Sequence, residues 1–169
     1  MAHGVIITSL LTGTTDGARL VSLKYSPSDT DTAIDNGCVV VLDSLYDATN
    51  DRELWKAVTP AANSKIKDIA IVATPEVSVN GENVYDLGNF YNVAGAECRG
   101  FRPVSGNCFD ITADVLDGTL TSPVGMIVEL QAGVKLKAVA SATASTTTIG
   151  KIIDTYTKGN KTFYVVCVD

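Results

Sequence analysis

Histidine is almost absent from this chain: His3 is the only one in 169 residues. A hydrolytic triad seats a base, usually histidine, beside its nucleophile. His3 lies in an N-terminus that nothing in the sequence tethers, so serine and cysteine catalysis both lack their usual base. The four cysteines, at positions 38, 98, 108 and 167, include no CxxC pair, and a single histidine cannot complete a usual zinc set. No GxGxxG occurs. Gly150-Lys151 falls short of a phosphate loop, because Ser145 stands where its first glycine belongs and Ile152 where Ser or Thr should follow. The expectation is a protein with no catalytic residues, no cofactor and no metal: not an enzyme.

Charge is also sparse. Charged residues make up 19% of the chain, against ~25% in an average domain. The net charge is −6, with no Lys/Arg cluster, so a nucleic-acid groove is not expected. Apolar runs stop well short of the ~20 residues a membrane helix needs. Met1-Ala2-His3-Gly4 lacks the basic flank and apolar segment of a signal peptide, which predicts a protein made and kept in a cytoplasm. A sparsely charged surface is compatible with cover by another protein, although Ser, Thr and Asn also keep surfaces soluble.

What the chain does contain is strand after strand. Its 46% apolar residues suffice for one core. Helical periodicity is missing from every long window, and strand-like segments recur at roughly ten-residue spacing, which predicts an all-β barrel or sandwich of short antiparallel strands with one or two short helices at most. Residues 18–25 read as a first strand. Asn36-Gly37 is a turn before the β-branched run Cys38-Val39-Val40-Val41-Leu42. Residues 68–74 alternate. Glu76 to Tyr85 reads as a hairpin around Asn80-Gly81, and residues 99–112 as a second hairpin-like unit. The final strands fall at 125–130, 134–139, 149–156 and 162–168, with Lys158 and Lys161 flanking a hairpin tip. The Ala/Ser/Thr segment 141–148 reads as a mobile loop. One departure from strand is expected: Asn50 or Asp51 capping a short helical turn, Arg52 to Val58, stopped by Pro60 and anchored by Trp55. Residues 1–35 look less packed, as an N-terminal arm or edge segment, with 36–169 as a single β-rich domain.

Cys38 and Cys167 lie in strand-like runs and are expected to be small buried thiols. Cys98 and Cys108 flank residues 99–107 and can face each other across that connection; a cytoplasm disfavours a disulfide, and the residues leave the pairing open. Asp29, Asp31 and Asp35 form one acidic group, and Asp110, Asp114 and Asp117 another. Such clusters can bind calcium or make an acid/base pair, but neither has EF-hand spacing, and solvated loops are the simpler reading. Arg99 and Arg102 bracket Gly100-Phe101. As an exposed tip, together with Arg52, they can pair with carboxylates of another protein, or within the chain with its excess acid.

A family pattern runs through these segments. Arg52-Glu53-Leu54-Trp55-Lys56-Ala57-Val58-Thr59-Pro60, Asp68 to Val77, Leu87-Gly88-Asn89-Phe90, Ala94-Gly95 to Arg99-Gly100, Gly106-Asn107-Cys108-Phe109-Asp110-Ile111-Thr112 and Val124-Gly125 to Val139 resemble small tailed-phage head proteins, specifically capsid decoration (cement) proteins. The resemblance spans residues 36–169 and rests on turns and strands. It implies a compact β-rich protein, often a homotrimer, that binds the phage major capsid protein on the outer shell and reinforces it. The protein would be assembled in the bacterial cytoplasm and located on the virion, with no membrane and no nucleic acid involved. It carries over no catalytic residue. The interface residues suggested beside it are Arg52, Trp55, Arg99, Phe101 and Arg102. Two alternatives stand next to it: a head-tail joining or tail-tube protein, and a carbohydrate- or cell-surface-binding β-module using Tyr85, Phe90, Tyr91 and Phe101 as a stacking platform.

Overall fold

Alternating apolar residues become two curled β-sheets in the computed structural model, which describes residues 3–13, 19–76 and 87–169. The first is a closed five-stranded barrel in the order β1-β3-β2-β4-β5: β1 (Leu20–Tyr25), β2 (Val39–Asp47), β3 (Asp51–Val58), β4 (Ile69–Val72) and β5 (Cys98–Phe101). Within the barrel β1 and β3 pair in parallel and its other neighbours are antiparallel. The second is a six-stranded sheet, ordered β6-β11-β10-β8-β9-β7. Its strands are β6 (Cys108–Thr112), β7 (Leu116–Asp117), β8 (Ile127–Glu129), β9 (Leu136–Val139), β10 (Thr148–Lys158) and β11 (Lys161–Val168). The chain is thus all-β, its described helical segments being single 3₁₀ turns such as Leu87–Asn89. None is long and apolar enough to cross a membrane. The hairpin read around Asn80-Gly81 lies outside the described residues, apart from Glu76.

The barrel is narrow. Register places Gly100 beside Val21 and Val72. A Cβ on Gly100 would stand 2.6 Å from Leu23 Cδ2, 2.9 Å from Val21 Cγ2 and 3.1 Å from Ala70 Cβ. Glycine is required there because side chains from neighbouring strands already fill the space. The alternate face of β4 and β5, with Ile71 opposite Phe101, is equally buried, so these strands are covered on both faces. One continuous apolar cluster then runs from Val39, Ile71 and Phe101 of the barrel to Phe109, Leu136 and Val166 of the second sheet. Val39 N–H donates to the carbonyl of Val134 (2.7 Å), in the connection leading into β9, and ties the barrel to the second sheet there.

Several local readings change in this context. Residues 52–58 are not a helical turn but strand β3, hydrogen-bonded between β1 and β2. Arg, Glu, Leu, Lys and Ala favour helix individually, yet a weak propensity yields to two flanking strands. Asn50 does not cap a helix. Its N–H, with that of Thr49, donates to the Asp47 carboxylate and shapes the β2–β3 turn. Those bonds hold Asp47 below its usual carboxylate range, the Asn50 side chain contributing most. Residues 99–112 are not a hairpin either: β5 closes the barrel while β6 pairs with β11.

Residues 1–35 are expected as an arm or edge segment, and their described part pairs with both sheets. Ile6 bridges Ile111, Ile7 N–H donates to the Asp110 carbonyl (3.1 Å), and Thr112 N–H donates to the Val5 carbonyl (3.1 Å), adding a stretch of chain to the free edge of β6. β1 lies between β3 and β5 rather than at an edge. Burial drives this: Val5, Ile6, Ile7 and Leu23 are each no more than 5% exposed.

The segment 141–148, expected to be mobile, is pinned by Glu129. This carboxylate is fully buried. It accepts from Thr143 N–H (2.9 Å), Thr143 Oγ1 (2.7 Å) and Thr146 Oγ1 (3.0 Å). Burial pushes its pKa up, but the Thr143 and Thr146 bonds, helped by Lys137, outweigh burial and hold it below the ordinary glutamate value. A depressed folded pKa stabilises the fold above the unfolded value, and that contribution is lost as pH falls through the folded value. Glu129→Gln keeps the shape but turns a donor toward Thr143 N–H. It is expected to cost about 2–3 kcal/mol at pH 7 by urea unfolding, and the gap from the native chain should narrow as pH drops below 4.5.

Candidate interaction surface

The five residues singled out as an interface fall into three settings. Phe101 is fully buried, so Arg99-Gly100-Phe101-Arg102 is not an exposed tip. It is the end of β5, and Phe101 sits between Leu20 and Ile71 in register. The signal missed was Gly100 itself, which reads as a turn in sequence but here makes room for Leu23 and Val21. Trp55 is half-buried against the core. The Arg102 guanidinium lies over its ring, 5.5 Å from the centroid, a cation–π contact. Arg102 N–H donates to the Arg19 carbonyl (2.8 Å), which fixes the chain there.

Arg52 and Arg99 remain on the surface, both exposed. Register explains their relation. Arg99 pairs with Ser22 of β1, and Ser22 pairs with Leu54 of β3, two residues beyond Arg52. Period-2 alternation therefore puts both arginines on one outer face of the barrel, with β1 between them. Arg99 borders a shallow hollow of about 350 Å³ shared with Ser22, Thr74, Pro75 and Glu97. Its backbone N–H donates to Thr74 Oγ1 (3.2 Å). The hollow thus offers a guanidinium, a carboxylate and two hydroxyls, suited to polar contacts with another chain.

The acidic groups do not assemble. Asp29 bonds Lys56, Asp31 accepts from Tyr46 Oη at 3.1 Å, and Asp35 meets His3. In the second group Asp110 accepts from Tyr156 Oη (2.6 Å), Asp114 pairs with Lys161 (3.2 Å) and Asp117 with Lys135 (3.6 Å). Burial first and the Asp110 bond second push the Tyr156 hydroxyl well above its ordinary range. Among the described residues no three His, Cys, Asp or Glu side chains converge as a metal site.

His3, expected to be untethered, is held on three sides. Its N–H donates to the Gly88 carbonyl (2.9 Å), its Nδ1 lies 2.8 Å from Asp35 Oδ1, and its ring stacks on Tyr91 with centroids 4.5 Å apart. Gly4 N–H adds a bond to the other Asp35 oxygen (3.0 Å). Together they border a hollow of about 310 Å³ that Cys38 and Lys135 also line. Burial, and then the Asp35 charge, push the Cys38 thiol up to about 12. It stays protonated at neutral pH, and a thiol in that form is a poor nucleophile. The cluster therefore works as a clasp on the N-terminal segment. No sequence signal marked it, because Asp35 and Tyr91 are far from His3 along the chain. Two members of the stacking platform proposed for a glycan are engaged elsewhere: Phe101 is buried and Tyr91 stacks on His3, while Tyr85 lies outside the described residues.

The cysteines are all free. Cys98 does not face Cys108: Cys98 opposes Leu23 in the barrel, and Cys108 opposes Cys167 in the other sheet. Cys38 is buried as expected, whereas Cys167 is only half-buried.

No protein-family model, curated protein or solved structure matches this chain.

The division between core and surface is testable. Phe101→Ala is expected to cost about 3–5 kcal/mol of stability by urea unfolding, while Arg99→Ala and Arg52→Ala stay within about 0.5 kcal/mol of the native chain. A large loss from either arginine variant would contradict its placement on the outer face.

Proposed function

We propose that this chain is a structural virion protein that binds the outer surface of a phage capsid and reinforces the shell. The observation that carries the reading is the outer barrel face, where Arg52 and Arg99 flank β1 beside a polar hollow on a body with buried strands on both sides. Arginine is favoured in interfaces because its planar fork pairs with carboxylates in two directions. In a chain of net charge −6 such a face is directional, turning basic groups toward an acidic partner while the rest is repelled. The resemblance of residues 36–169 to decoration proteins supports the same reading. On a capsid each contact is repeated by symmetry, so weak contacts add through multivalency. A cyclic trimer on a local threefold would multiply them again. The partner is the phage major capsid protein, and the location is the virion surface.

The test is co-sedimentation with expanded, undecorated capsids of the parent phage. Saturable binding at a fixed ratio to capsid protein is expected. Arg99→Glu should weaken it at least ~10-fold, which corresponds to about 1.4 kcal/mol. Absence of binding at micromolar protein, on shells shown to be intact, would overturn the reading. Self-assembly into rings or tubes without a capsid would replace it with a head-tail or tail-tube role.

A further inference from the structure

We propose that Cys108 and Cys167 are a latent cross-strand disulfide: under oxidation by a small-molecule disulfide they join and staple β6 to the C-terminal strand β11. The inference rests on the geometry of that strand pair and is independent of the capsid reading.

Register sets Cys108 directly opposite Cys167 in an antiparallel pair. Antiparallel partners alternate between hydrogen-bonded and non-hydrogen-bonded positions, and the backbone bonds decide which this is. The Cys108 and Asp110 carbonyls and the Thr112 N–H are engaged by Thr12, Ile7 and Val5, on the side away from β11. Asn107, one residue before Cys108, instead has its carbonyl turned to β11, where it accepts from Val168 N–H (2.8 Å). Even-numbered residues of β6 therefore point their backbone groups away from β11, and Cys108–Cys167 is a non-hydrogen-bonded pair. That is the closer kind, with Cα atoms ~4.5 Å apart, inside the ~4.4–6.8 Å range of disulfides. The two side chains leave the sheet on the same face.

Access and surroundings fit. Both residues are half-buried, open enough for a small oxidant, whereas Cys38 and Cys98 are buried. Asp110 lies two residues along β6, Lys151 of β10 is paired with Cys167 in register, and Asp169 follows β11, 4.0 Å from Lys151. Burial, then the Cys167 thiol and the Asp110 charge, push the Cys108 thiol up to about 11.

The reaction balances as two thiol–disulfide exchanges. One cysteine thiolate attacks a sulfur of oxidised glutathione, forming a mixed disulfide and expelling a glutathione thiolate. The other cysteine thiolate then attacks the protein sulfur of that mixed disulfide and expels the second glutathione thiolate. The two cysteine protons end on the two departing thiolates. Two protein thiols are oxidised to one disulfide, and one glutathione disulfide is reduced to two thiols. The bond closes a long loop of chain, so it restricts the unfolded state strongly.

The experiment treats the native full chain with oxidised glutathione, blocks remaining thiols under denaturing conditions, and reads intact mass and a non-reducing peptide map. The expected product has lost the mass of two hydrogens, keeps two blockable thiols of the original four, and yields a peptide joining Cys108 to Cys167. Its Tm is expected to rise by about 5–10 °C, reversed by reductant. Cys108→Ser and Cys167→Ser should each abolish the internal bond, and Cys98→Ser should not; circular dichroism confirms that each variant is folded. The proposal is overturned if the native chain yields only glutathione adducts, a bond to Cys38 or Cys98, or linked dimers. It is equally overturned if the thiols stay unreacted under conditions that oxidise the unfolded chain.

Discussion

The crossing of the N-terminal chain through residues 34–37 is the constraint on which both sheets depend. Polar backbone groups buried there must all be paired, and Asn36, only 1% exposed, pairs them. Its Nδ2 donates to the Thr74 carbonyl (2.8 Å), and its Oδ1 accepts from Thr74 N–H (3.1 Å) and Asn92 Nδ2 (3.2 Å). Asn92 also bonds Ile34 through its backbone and its side chain. Gly37 follows with φ +86°, and a Cβ there would stand 2.8 Å from Val115 Cγ2. A larger residue at 37 would be strained in backbone and crowded in packing at once. At this crossing the chain leaves the edge of the second sheet and β1 of the barrel and enters β2.

Around it, the fold solves a recurring problem in small β-proteins: how to bury polar side chains in a mainly apolar core. Each described one is paired. Glu129 organises the Thr143–Thr146 turn, Asp110 takes the Tyr156 hydroxyl, and Asn36 and Asn92 hold each other. Among the described residues no buried side-chain nitrogen or oxygen lacks a partner. An unpaired group would cost roughly 1–3 kcal/mol, a large share of the stability of a domain this size. These contacts also specify register, because each joins segments far apart in sequence.

The proposed capsid-binding face follows from the same economy. Aromatic and basic residues that a sequence reading groups together are divided by the fold: Phe101 goes to the core, Trp55 with Arg102 sits partly buried against it, and Arg52 with Arg99 stays outside. A protein that must hold a fixed surface against a lattice gains from this division, since packing immobilises the strands and leaves only arginine ends to order on contact.

Much of the strand content was legible in the sequence. Cys38–Leu42, the alternation near Ile69 and the glycine-punctuated ladder after Gly125 all became strands, because side-chain alternation is a local property that burial on one face imposes directly. The errors share a cause. Residues 52–58 read as helix by local propensity and 99–102 as a turn by their glycine, yet β3 lies between β1 and β2, and β5 between β1 and β4. The His3–Asp35–Tyr91 clasp and the Cys108–Cys167 pair carried no signal at all, since nothing in a linear chain states which strand lies next to which. The sequence by itself determined that this protein is β-rich with a single apolar core, through the period of its hydrophobic residues. Only the tertiary structure decided that the N-terminal segment joins both sheets, which arginines face outward and which cysteines meet, because those depend on long-range strand pairing and on the space left inside a closed barrel.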